Sequence, residues 1–140
     1  MEQINEDYVS FEVAKLLKEK GFCENTEHKI WYVIKQFSTG VPWNSCTYKV
    51  GDITREYNND CCIPMPTLQT AMKWLREVYD LFIEPRVGET DDKTWYDFDI
   101  IPINGRKINW NHYNNLPLVE LNSYEEAVEL ALKYCLENLI

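Results

Sequence analysis

Three stretches of the chain repeat apolar residues at helical spacing and carry end signals to match. Over 9–22, Phe11, Ala14 and Leu17 fall on one face, and Val13 and Leu16 widen it. Ser10 suits the N-terminal cap, with Val9 just outside and Ala14 four positions in as a weak hydrophobic staple. Gly21 suits the left-handed residue after the helix, and Phe22 is placed to fold back on Leu17 in a Schellman ending. Lys15, Lys18 and Lys20 lie late in the helix, where its dipole favours cations. Over 66–77, Thr67 is the candidate cap; the apolar stripe is Leu68, Ala71, Met72, Leu75, Val78 and Tyr79, with Lys73, Arg76 and Glu77 outside. A last helix starts at the capping box Ser123-Tyr124-Glu125-Glu126 and runs nearly to Ile140. Its expected buried positions include Ala127, Leu130, Ala131, Tyr134, Cys135 and Ile140.

Between the helices the period changes to two. A strand is predicted over 29–36, where both faces are largely apolar, and a short one over 47–50. From 37 to 66 the pattern is broken by scattered Gly, Pro and Asn, and a short hairpin within that stretch is plausible. Strands over 81–87 and 94–103, joined by Gly88-Glu89-Thr90-Asp91-Asp92-Lys93, predict an antiparallel hairpin. Leu81, Ile83 and Val87 share one of its faces with Tyr96, Phe98 and Ile100, and that face should meet the helices. Asn104-Gly105 marks a turn, and further short strands are predicted over 107–110 and 118–121. The fold class that follows is α+β, three helices packed on a small, mainly antiparallel sheet. The length of 140 residues fits a single domain spanning 1–140.

Hydrophobic residues make up 45% of the chain, so a folded core is expected rather than disorder. The formal net charge of -9, with no cluster of Lys or Arg, argues against binding nucleic acid through its phosphates. The first residues lack the basic start and apolar run of a signal peptide, and no stretch has the length of a membrane span. A soluble, cytoplasmic protein is the expectation. Five cysteines, an odd number, argue for reduced thiols over a disulfide framework.

Candidate chemistry is sparse. Asp97 and Asp99 alternate onto one strand face with Trp95, and the predicted hairpin sets Glu84 and Arg86 on the matching face of its neighbour. Paired carboxylates can hold Mg²⁺ or act as acid and base, but a wet sheet face with charges paired across strands is the stronger reading. The run Asn109-Trp110-Asn111-His112-Tyr113-Asn114-Asn115 offers Trp110, His112 and Tyr113 as a platform for a sugar or base, ranked above the metal and acid–base ideas because the residues are contiguous. Zinc held by Cys23, His28, Cys61 and Cys62 is conceivable, yet the spacing lacks the tight Cys pairs of structural zinc sites. Glycine-rich phosphate loops, nucleophile elbows and His-Glu-x-x-His helices do not occur. No catalytic residue, metal or cofactor is therefore assigned.

The Val9–Phe22 block, the Pro64-Met65-Pro66-Thr67 segment leading to Ala71-Met72-Lys73-Trp74-Leu75-Arg76-Glu77, and Ser123-Tyr124-Glu125-Glu126-Ala127 resemble short uncharacterised proteins of phages, prophages and mobile elements of gut Bacteroidales. The resemblance covers under half of the chain and implies a context rather than an activity. With it, the expectation is a non-enzymatic accessory protein that binds another protein or itself through exposed Trp and Tyr. The alternatives are a small-ligand-binding or metal-dependent enzyme, and an acidic inhibitor mimicking nucleic acid through Glu120, Glu125, Glu126, Glu129 and Glu137.

Overall fold

The computed structural model describes residues 7–22, 30–34, 46–50, 62–108 and 119–140. The fold is α+β: among the described residues, three α-helices accompany strands that are all paired antiparallel. The strands form two sheets, and the chain divides into two compact units, one from Tyr8 to Thr67 and one from Leu68 to Ile140 together with Asp7.

In the first unit, α1 (Phe11–Glu19) begins where Ser10 Oγ accepts the N–H of Val13 at 3.2 Å. It ends in a full Schellman motif: Phe22 N–H donates to Leu17 O at 2.9 Å and Gly21 N–H to Lys18 O at 3.1 Å. Gly21 has φ 93, a conformation that costs a residue without a Cβ little. Val9, Val13, Ala14, Leu17 and Phe22 are buried, while Phe11 and Leu16 are half-buried at the stripe's margins. β1 (Ile30–Ile34) is the central strand, paired with β2 (Cys46–Val50) from Ile30↔Val50 to Ile34↔Cys46. On its other side it pairs with β3 (Cys62–Pro64), from Trp31↔Pro64 to Val33↔Cys62. No strand is predicted at β3, since its short run gains its place from pairing with a strand far away in sequence. α1 lies against β3, where Ile63 is buried.

In the second unit, α2 (Leu68–Tyr79) buries Leu68, Ala71, Met72 and Leu75. Val78, expected on the buried stripe, is instead 55% exposed in the last turn. Trp74 packs edge-on against Tyr79 with ring centres 5.1 Å apart. A single residue, Asp80 at φ 54, turns the chain from α2 into β4 (Leu81–Glu89). β4 pairs with β5 (Thr94–Pro102) in one unbroken register from Leu81↔Pro102 to Glu89↔Thr94. At the open end of this hairpin Asp80 O accepts the N–H of Ile103 at 2.9 Å, and the Asp80 carboxylate accepts from Asn104 Nδ2 at 2.8 Å. Asn104 is itself left-handed at φ 52.

Leu81, Ile83, Phe98 and Ile100 are buried on the inner face, against which α3 (Tyr124–Tyr134) lies across both strands and α2 along β4. Towards the turn this cover ends, and Val87, predicted to meet the helices, is 64% exposed. Ser123 Oγ accepts the N–H of Glu126 at 3.1 Å, and Glu126 reaches back to the N–H of Asn122 at 3.0 Å, one residue earlier than in the usual box. A π-helical turn, Cys135–Leu139, continues α3. The buried positions are Ala127, Val128, Ala131, Leu132, Cys135 and Leu136, whereas Leu130, Tyr134 and Ile140 are half-buried. Two parallel rows at four-residue spacing, from 127 and 128, thus replace the expected stripe, because the helix packs against both the hairpin and α2.

The strand expected over 107–110 does not form at 107–108; positions 109–110 lie outside the described residues. Arg106 N–H closes a turn on Ile103 O, and its side chain donates to Leu139 O at 3.0 Å with the guanidinium over Tyr79, drawing the chain off the hairpin's line. Arg106 Nε is buried without a hydrogen-bond partner. The strand expected over 118–121 reduces, among the described residues, to one bridge: Tyr96 N–H to Leu121 O at 2.9 Å and Leu121 N–H to Tyr96 O at 2.8 Å. In an antiparallel ladder both polar groups of a residue point to the same side. Tyr96 therefore turns its backbone away from β4, and so do Phe98 and Ile100, two and four residues on. Pro85, opposite Phe98, also occupies an outward position, where its missing N–H costs no ladder bond. No helix among the described residues is long and apolar enough to cross a membrane.

Candidate functional site

The residues that alternate with the hairpin's buried positions make its outer face. Register sets Phe82 opposite Ile101, Glu84 opposite Asp99, Arg86 opposite Asp97 and Gly88 opposite Trp95. Glu84, Arg86, Trp95, Asp97 and Asp99 thus lie together. Phe82 and Ile101 extend the same face, a placement that the two-residue period alone signals once Glu84 and Asp99 are assigned to it.

Arg86 is the centre of its electrostatics. Nε donates to Asp97 Oδ1 at 2.8 Å, and Nη1 lies 3.9 Å from Asp99 Oδ2. Nη2 crosses the face to donate to the carbonyl of Phe98 at 3.3 Å. The arginine is held above its ordinary pKa, first by the hydrogen bond to Asp97 and further by the fields of Asp97, Asp99 and Glu84, with partial burial working against them. Asp99 Oδ1 accepts the N–H of Ile100 at 2.8 Å. Glu84 and Asp99, like charges directly across the strands, would destabilise the pairing. Arg86, close to both, offsets this. All of these groups reach solvent, so each exposed ion pair is worth about 0–1 kcal/mol.

Trp95 is positioned from two sides. Its indole occupies the space that a Cβ at Gly88 would fill, so only glycine fits opposite it. Lys93 Nζ lies 5.3 Å from the ring centre and also binds Glu120 at 2.6 Å. The lysine, in the predicted turn, becomes part of the site because the turn folds back beside Trp95.

This arrangement suits contact better than acid–base chemistry. Asp97 is committed to a guanidinium and Asp99 to a backbone N–H, and both carboxylates are open to water. No group of three or more His, Cys, Asp or Glu among the described residues could hold a metal. Burial pushes the Cys135 thiol up to about 12, which keeps it neutral and unreactive at physiological pH. Of the acidic residues considered for nucleic-acid mimicry, Glu120 is paired with Lys93 and Glu126 is bound to the start of α3, which leaves no unbroken stripe through them. Trp110, His112 and Tyr113 lie outside the described residues, as do Cys23, His28 and Cys61 of the zinc alternative. Comparison of the chain with protein-family models, curated proteins and solved structures finds no match.

Proposed function

We propose that this chain is a small accessory protein of a phage or mobile element that acts by binding another protein through the outer face of the β4–β5 hairpin. The observation that supports it is the composition of that face. Phe82, 37% exposed, with Trp95 and Ile101, frames an arginine fixed by two aspartates. Aromatic residues and arginine are the types enriched where proteins bind each other, and a side chain already held in place loses less freedom on binding. The mobile-element context is supported by the resemblance of the helix blocks at 9–22, 64–77 and 123–127.

A photo-crosslinking amino acid at Phe82 or at Trp95, introduced in the cell that carries the protein, tests this. The expected result is one adduct of the same mass from both positions and none from Glu125, on the exposed side of α3. Adducts absent from both hairpin positions, or identical from all three, would remove the face from consideration.

A further inference from the structure

The rows of the outer face differ in charge balance. Arg86 and Asp97 make one matched row, while the next holds Glu84 opposite Asp99, two carboxylates and no cation. Beyond it lie Phe82 and Ile101, and neighbouring rows are about 7 Å apart. Arg86 binds Asp97 at 2.8 Å, but its Nη1 stays 3.9 Å from Asp99 Oδ2, beyond hydrogen-bond reach. The other Asp99 oxygen accepts the N–H of Ile100. Among the described residues no ion pair or hydrogen bond reaches the exposed Glu84 carboxylate. Like charges directly opposite one another weaken a strand pair. The fold thus carries an acidic row that costs it stability, and the single guanidinium offsets that only in part. Groups that lower stability mark places where function competes with the fold.

We propose that the partner presents a lysine or arginine to the row of Glu84 and Asp99, with an apolar side chain about 7 Å away against Phe82 and Ile101. The inference rests on the reading of this face as the binding surface and names the chemistry of what it binds. Charge complementarity selects the occupant. The cation supplies the positive charge that the row lacks, and the chain's net charge of -9 draws a basic segment towards it. A second copy docking by the same face would bring its own carboxylates to the row, and nucleic acid its phosphates; both are repelled. A metal ion lacks ligands, since no group of three or more His, Cys, Asp or Glu among the described residues could hold one. A partner without a cation would leave two desolvated, unpaired carboxylates beneath it, so the row also refuses neutral segments.

The variant E84Q/D99N, carrying a photo-crosslinking amino acid at Phe82 or at Trp95 in the cell that carries the protein, tests this. Both changes keep the shape of the side chain and remove its charge, and an asparagine amide oxygen still accepts the Ile100 N–H. The adduct formed with native Glu84 and Asp99 is expected to fall roughly tenfold in the variant. Peptide mapping of the Phe82 adduct is expected to place a lysine or arginine within about four residues of the cross-linked position. An undiminished adduct, or a mapped segment without a cation, overturns the charge inference and leaves the face as the binding surface. Adducts absent even with Glu84 and Asp99 in place remove both readings. Thermal unfolding of E84Q/D99N gives a readout that needs no partner. Its melting temperature is expected to equal or exceed the native value, because repulsion within the row is relieved. A clearly lower one would make the two carboxylates supports of the fold and overturn the proposal.

Discussion

A glycine inside a strand weakens a sheet unless something needs its empty side. At Gly88 that something is the indole of Trp95. Gly88→Val is therefore expected to cost about 1–3 kcal/mol in urea unfolding, as an overpacked site does. The cost should fall sharply in G88V/W95A, and a double-mutant cycle that is additive would refute the contact. Cys135 carries a different expectation. Its thiol ionises near 9.0 ordinarily and near about 12 in the buried site, so the unfolded chain loses the proton first as pH rises. The contribution is fully present below about 9 and is lost as pH climbs towards about 12. Denaturant melts across that window should show a steeper fall for the native protein than for Cys135→Val. Modification of the thiol at pH 8 is expected only on unfolding.

Among the elements, the helices and the hairpin were legible because their signals are local. Ser10, Gly21 and Phe22 announce both ends of α1, and Ser123 with Glu126 announces the start of α3. Ser10→Ala and Ser123→Ala should each cost about 1 kcal/mol, measurable by thermal unfolding. What misled was set by distant partners. Gly88 has the composition of a turn, but its role is decided across the ladder by Trp95. Val78 and Val87 continue apolar stripes beyond the point where anything covers them. The buried rows of α3 depend on its having two neighbours, which a single helical period does not disclose. The paired charges of the outer face were legible from alternation alone, whereas Lys93 was not, because its approach to Trp95 depends on how the turn folds back. The small residues Ala127 and Ala131, one turn apart on α3, are fully buried. Ala131→Leu is expected to cost about 1–3 kcal/mol in chemical denaturation, more than the same change at exposed Glu125.

On the scale of the whole molecule, the net charge of -9 sets a long-range repulsion between copies. Salt screens exposed charges over about 10 Å at 0.1 M. Repulsion between copies is therefore expected to weaken with ionic strength, which the concentration dependence of sedimentation at low and high salt would show. The two edges of the hairpin differ: Leu121 pairs with β5 at Tyr96, and β4 carries a proline. Pro85 takes an outward position on β4, so that side lacks a donor at the middle of the strand. A strand added along β4 would lose a ladder bond at Pro85. Side-by-side stacking of hairpins through β4, the way sheets extend into fibres, is thereby interrupted at its middle.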